Sequence, residues 1–148
     1  MTFPARFVLL LALCCLALLS LYSLDAGAGE KKIIFYNVTT DETWASEMAT
    51  GQAAMAMKSG YKVVVFLNVR AVYLASKSRA LDTFSGTGKT AREMLSDLIK
   101  NGARVIICPM CMNKAGITES DLLDGVEMGG PKVTFPLVTA EDTVVISY

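Results

Sequence analysis

Along the chain, short apolar runs alternate with longer stretches in which apolar residues recur every three to four positions. Residues 32–38 (KIIFYNV) are rich in β-branched and aromatic side chains, the pattern of a first strand. Thr39-Thr40-Asp41-Glu42 then supplies capping residues and acidic charge before an alanine- and methionine-rich stretch that reaches Ser59. Within it, Trp44, Met48, Gln52 and Met55 fall at i, i+4, i+8 and i+11. The spacing predicts a helix with those side chains facing the core and Gly60 as its stop. Residues 61–68 (YKVVVFLN) make the clearest strand, and their unbroken apolar character predicts a central strand covered on both faces. Residues 69–76 read as a short helix or turn. Residues 77–88, polar and holding Gly86 and Gly88, read as an exposed loop.

Thr90-Ala91-Arg92-Glu93 is a capping box opening a helix with Ala91, Met94, Leu95, Leu98 and Ile99 on one face and Gly102 ending it. A third strand over residues 104–107 runs directly into Cys108-Pro109-Met110-Cys111. Proline suits a first helical turn, where its missing N–H has no partner to lose, and Gly116 suits the C-terminus of the short helix that follows. Thr118-Glu119-Ser120-Asp121 starts another short helix, over 121–123 and closed by Gly125, and Gly129-Gly130-Pro131 is a turn. Residues 132–139 fit a strand or a short helix around Pro136 equally well, and residues 143–147 (TVVIS) are the expected last strand. Strands alternating with helices predict an α/β fold, a mostly parallel sheet covered on both faces.

The start of the chain follows a different logic. Arg6 precedes an apolar run over residues 7–21, and Ala26-Gly27-Ala28 supplies small residues at the spacing of a cleavage site. That order is a secretory signal peptide over residues 1–28, cleaved after Ala28, with an uncleaved membrane anchor as the second reading. Export places the chain in the periplasm or outside the cell. Residues 29–148 then suffice for one compact domain. Lys and Arg number 14 against 14 Asp and Glu, and the signal carries one of each, Arg6 and Asp25. A neutral surface gives no reason to expect nucleic acid or an anionic membrane as partner. The chain has no histidine, which excludes Ser-His and Cys-His pairs and histidine metal ligands. Cys14 and Cys15 lie within the signal, so Cys108 and Cys111 are the cysteines of the mature chain.

Three weaker motifs have plain structural readings. Ser85-Gly86-Thr87-Gly88-Lys89-Thr90 resembles the end of a phosphate-binding loop, but position 83 is Thr where such a loop needs glycine. Asn37-Val38-Thr39 matches a glycosylation sequon at a strand end, where a polar terminus explains it. Of the methionines, Met110 and Met112 are placed to join Cys108 and Cys111 around Cu(I). Zinc finds too few ligands, and no cofactor is expected.

Cys108-Pro109-Met110-Cys111 is the strong motif. A sulfur between a strand end and a helix N-terminus faces unpaired backbone N–H groups, which favour thiolate over thiol. Inert paired cysteines and thioredoxin-like exchange both remain open from the residues alone.

Three segments, VVVFLNVRAVYLASK, GARVIICPMCMNKAGI and DLLDGVEMGGP…TVVISY, resemble the DsrE/DsrF-like family of small sulfur-relay proteins, which includes TusD- and YchN-type members. The resemblance spans nearly all of residues 29–148. It implies a three-layer α/β/α sandwich, single-domain and often assembled into trimers or hexamers. It also implies a persulfide on the cysteine that stands eight residues before a glycine followed by an aliphatic residue. Cys108, Gly116 and Ile117 fit that spacing, and Cys111 fits the second cysteine of the branch bearing C-x-x-C.

The resulting expectation is an exported DsrE-like sulfur carrier or sulfurtransferase-type protein. Cys108 is its sulfur-accepting nucleophile and Cys111 a resolving or redox partner. Sulfur donor and acceptor proteins, or small sulfur species, are its partners. The alternatives are a soft-metal (Cu) or partner-binding protein and a thiol–disulfide oxidoreductase. In open parallel sheets, ligands gather beyond the carboxyl ends of the strands. That rim collects Asn37, Thr39, Asn68, Arg70 and Cys108, and predicts Asn68 and Arg70 as substrate-binding residues beside Cys108.

Overall fold

The computed structural model describes residues 32–148; the signal peptide and cleavage point read over residues 1–28 lie outside the described residues. Five strands form one sheet: β1 (Ile33–Val38), β2 (Lys62–Leu67), β3 (Arg104–Ile107), β4 (Glu127–Met128) and β5 (Thr143–Ser147). Their order is β4-β3-β2-β1-β5 and every neighbouring pair is parallel. Parallel strands need crossover connections, and α1 (Thr43–Lys58), α2 (Ala91–Lys100), α3 (Pro109–Ala115) and α4 (Pro131–Val138) lie in them. β2 is central, as its apolar run predicts.

Strand alternation sends side chains to opposite faces. Tyr36, Val38, Val63, Val65, Leu67, Val105 and Ile107 face the larger core with α1, α2, α3 and the 3₁₀ helix Val69–Ala75. Phe35, Val64 and Ile106 face the other way, where Val133, Leu137 and Val138 of α4 cover them. The result is a three-layer α/β/α sandwich with one thick and one thin cover. Val105, Ile106 and Ile107 are fully buried, each burial being worth about 1.5–3 kcal/mol. Among the described residues, no helix is long and apolar enough to cross a membrane.

The helix over α1 is where expected, but its orientation is reversed. Ser46, Ala49, Thr50, Ala53 and Ala56 face the core, whereas Trp44 is 75% exposed, Met55 68% and Met48 44%. Size decides the phase: small side chains let the helix lie close on the sheet. The buried hydroxyls are satisfied within the helix, Ser46 Oγ donating to Glu42 O and Thr50 Oγ1 to Ser46 O, each at 2.7 Å.

Three further segments differ from expectation or settle an open choice. The loop over 77–88 is anchored, because Phe84 is buried and its backbone bonds to Lys89 and Gly88. The short helix expected over 121–123 is instead the 3₁₀ turn Glu119–Asp121. Leu122 is buried, and the Leu123 N–H donates to Ala75 O at 2.8 Å, so this stretch runs extended alongside Ser76. Residues 132–139 resolve as helix, started by Pro131 and holding Pro136 within it. The capping box at Thr90 and Glu93 forms as the sequence requires.

Candidate functional site

At the carboxyl end of β3 the chain turns sharply, and the turn is built from both sides. The Cys108 N–H donates to Leu67 O at 2.9 Å, continuing the β2–β3 ladder by one bond. Gly129 donates to Ile107 O at 2.8 Å; a Cβ on Gly129 would sit 2.7 Å from that oxygen, so glycine is required there. Cys108 is extended (φ −77, ψ 112) and serves as the N-cap of α3, with Pro109 at its first position and Gly116 left-handed (φ 70) at its end. Cys108 Sγ accepts the Cys111 N–H at 3.4 Å.

Cys111 lies one helical turn on and packs against the larger core, and both thiols are free and half-buried. Cys111 Sγ accepts the backbone N–H of Val69 at 3.1 Å. Burial pushes the Cys111 thiol up, and its hydrogen bond with the Cys108 side chain adds to this; the Val69 N–H pulls the other way. Cys111 thus keeps thiol character beside Cys108. The two sulfurs and the Val69 amide form one continuous cluster. Val69 adopts φ 50, unusual for a β-branched residue.

Asn68 and Cys108 leave adjacent strand ends, since Leu67 pairs with Ile107 in the sheet register. The Asn68 side chain itself turns toward β1, its Nδ2 donating to Asn37 Oδ1 at 2.6 Å, while Asn37 Nδ2 donates to Ser147 Oγ at 3.3 Å. Arg70 Nε and Nη2 donate to Asp41 Oδ1 and Oδ2, each at 2.8 Å. Arg79 approaches the same carboxylate at 3.8 Å. Both guanidiniums lie over the Tyr73 ring, at 5.5 Å for Arg70 and 4.8 Å for Arg79. Two arginines therefore converge on Asp41 and Tyr73, Arg70 following directly on the Val69 whose N–H meets Cys111 Sγ. Asp41, Arg79 and Tyr73 were missed from sequence, although an acidic residue just beyond β1 on the rim of Arg70 was a usable signal. Val69 had no signal at all.

The remaining motif residues find structural places. Gly88 is in a tight turn at φ 66, Lys89 pairs with Asp97, and Thr90 caps α2. Met112 is buried in the larger core, while Met110 is 79% exposed. Among the described residues, no group of three or more His, Cys, Asp or Glu side chains gathers as a metal site.

The sequence model of the DsrE/DsrF-like family matches residues 31–145. Among solved structures, the chain is similar to a protein of unknown function, MTH1491, from Methanobacterium thermoautotrophicum, with a TM-score of 0.64 and 16% identity over 80% of this chain and 100% of that one. It is likewise similar to the ychN protein from E. coli, with a TM-score of 0.63 and 22% identity over 80% and 99% of the two chains. No curated protein matches.

Proposed function

The chain belongs to the DsrE/DsrF-like family, and from that premise we propose that it is an exported sulfur carrier or sulfurtransferase-type protein that accepts sulfur as a persulfide on Cys108. The observation that carries this reading is the free, half-buried Cys108 at the carboxyl rim of a parallel sheet, its sulfur receiving a backbone N–H. A thiolate there attacks a sulfane sulfur of an inorganic polysulfide. The Cys108 Sγ–S bond forms, and the shortened polysulfide leaves with the electron pair. Arg70 draws anionic sulfur species to the rim, with Arg79 adding to the positive field against Asp41. Asn68 orders the strand end beside Cys108. Sulfur donor and acceptor proteins dock at the same rim, and the working unit is a homo-oligomer, a trimer or hexamer.

Intact-mass measurement after exposure to polysulfide tests the site. One added sulfur in Cys111→Ser, where no second thiol can displace it, and none in Cys108→Ser supports the reading; uptake undiminished in Cys108→Ser overturns it. Export is tested by fractionating the native host and sequencing the N-terminus. A chain beginning at Gly29 outside the cytoplasm is expected, and a full-length chain found soluble in the cytoplasm contradicts it.

A further inference from the structure

A pure carrier protects its persulfide until a partner arrives. This site instead holds a second free thiol one helical turn beyond the first. Cys108 Sγ lies 3.4 Å from the backbone nitrogen of Cys111, and Cys111 Sγ is held by the Val69 N–H at 3.1 Å. Neither sulfur is engaged in a disulfide. Cys111 packs against the larger core, so its sulfur stays beside Cys108 and cannot easily swing into solvent.

We infer that the persulfide on Cys108 is discharged within the chain as hydrosulfide, through attack of Cys111 on Cys108, making the protein a sulfide-releasing persulfide reductase that an external dithiol must reset. This rests on the persulfide reading above and gives that site its product. In the step, Cys111 Sγ attacks Cys108 Sγ, and the Cys111 thiol proton passes through water to the departing terminal sulfur. The Cys108–Cys111 disulfide bond forms, and the bond from Cys108 Sγ to the terminal sulfur breaks. The electron pair of that bond leaves with hydrosulfide. The terminal sulfur is reduced and the two cysteine sulfurs are oxidised, so no outside electron is needed. A dithiol reductant then reduces the disulfide by exchange and returns the site to its starting state.

Two features favour this outcome over handing the sulfur to a partner. Attack within the site has the advantage of a held, oriented neighbour over any thiol arriving from solution. Attack on Cys108 Sγ expels hydrosulfide, whereas attack on the terminal sulfur must expel an alkyl thiolate. The group whose conjugate acid is stronger leaves faster, and that group is hydrosulfide. The reaction that must accompany this protein is therefore one supplying reducing equivalents as a dithiol. The compartment must also tolerate or consume sulfide.

The test uses the reduced protein, freed of reductant, with glutathione persulfide as the sulfur donor. Transfer of its outer sulfur to Cys108 yields glutathione and no sulfide. Attack on its inner sulfur would instead release sulfide and leave a glutathione adduct, which the Cys111 variants would retain and intact mass distinguishes from one added sulfur. Released sulfide and intact mass are followed together. The unmodified chain is expected to release a single equivalent of sulfide and to finish lighter by two hydrogens with no sulfur added. Added dithiothreitol should restore turnover. Cys111→Ser should keep the added sulfur, with a lifetime longer by at least about a hundredfold, and release no sulfide. Cys111→Ala repeats the measurement in case the hydroxyl disturbs the packing of that turn. If the unmodified chain holds its persulfide as long as these variants do, or the variants release sulfide at its rate, the inference fails while the carrier reading stands. If neither variant takes up sulfur, the carrier reading itself falls, and the inference falls with it.

Discussion

The backbone N–H of Val69 donates to Cys111 Sγ from a left-handed conformation, φ 50, and Val69 is the one non-glycine residue at positive φ among the described residues. A β-branched side chain disfavours that region, so the contact is held at a cost of roughly 1–3 kcal/mol in backbone strain. The strain lies where the chain leaves β2 for the 3₁₀ helix, beside the cysteine cluster.

Val69→Gly should release that strain. Glycine takes positive φ freely but loses about 0.5–1 kcal/mol through the extra freedom of the unfolded chain. The Val69 side chain is 59% exposed, so little packing is lost with it. The expected result is a gain of about 1 kcal/mol in urea unfolding with an unchanged slope. A midpoint at or below that of the parent chain would show that the surroundings, rather than strain, set this conformation.

Cys111 should alkylate as a raised thiol. Its rate with iodoacetamide, followed by peptide mass, should climb only above the pH at which an ordinary thiol ionises. In Cys108→Ala the profile should move to lower pH, because the hydrogen bond and charge of Cys108 both hold the thiol up. The sign for stability follows: the fold favours the neutral thiol, so this contribution is full below the unfolded-state value and lost as pH rises through the higher folded one. An unshifted profile in Cys108→Ala would mean that the two sulfurs do not sense one another.

Arg70→Ala should slow sulfur loading from inorganic polysulfide by about threefold to tenfold at low ionic strength. The difference should vanish near 1 M salt, where the screening length is about 3 Å. Asp41→Asn should act in the opposite sense, since Asp41 neutralises part of the same field. Equal rates for all three chains at every salt concentration would remove Arg70 from substrate binding.

Phe84→Ala should destabilise the fold by about 3–5 kcal/mol, the usual effect of emptying a buried aromatic site. Phe84 is the anchor of residues 77–88. Limited proteolysis should therefore cut this loop much faster in the variant. Unchanged cleavage would place the loop's order elsewhere, in the bridge between Thr83 and Thr90.

What the sequence made legible was whatever a single residue type or a local period decides. Cys108, Pro109 and Gly116 mark a strand end, a helix start and a helix stop, and each stands at that place. Thr90 and Glu93 announce their capping box. Where two faces of one helix compete, local pattern fails. Trp44, Met48 and Met55 have the period of a core stripe, but Ala49, Ala53 and Ala56 have it too, and closeness to the sheet selected the smaller set. Partners across the rim were illegible for another reason. Arg70 to Asp41 and Asn68 to Asn37 depend on where the β1 and β2 termini meet, which only the sheet register fixes. The conformation of Val69 runs against its own propensity and had no local trace.

The unequal covering of the sheet sets an order of opening. On the thin side, α4 holds down Phe35, Val64 and Ile106 while carrying Pro136, which removes one of its own backbone bonds. Amide hydrogens of α4 should therefore exchange through local lifting, long before those of β2 and β3. Cys111 belongs to the thick side, with Met112, Leu67 and Ile107 around its turn. Excursions of α4 leave its surroundings unchanged. A thiol reagent at the half-buried Cys111 would thus react at a rate indifferent to that lifting, while the opposite face breathes unseen by it.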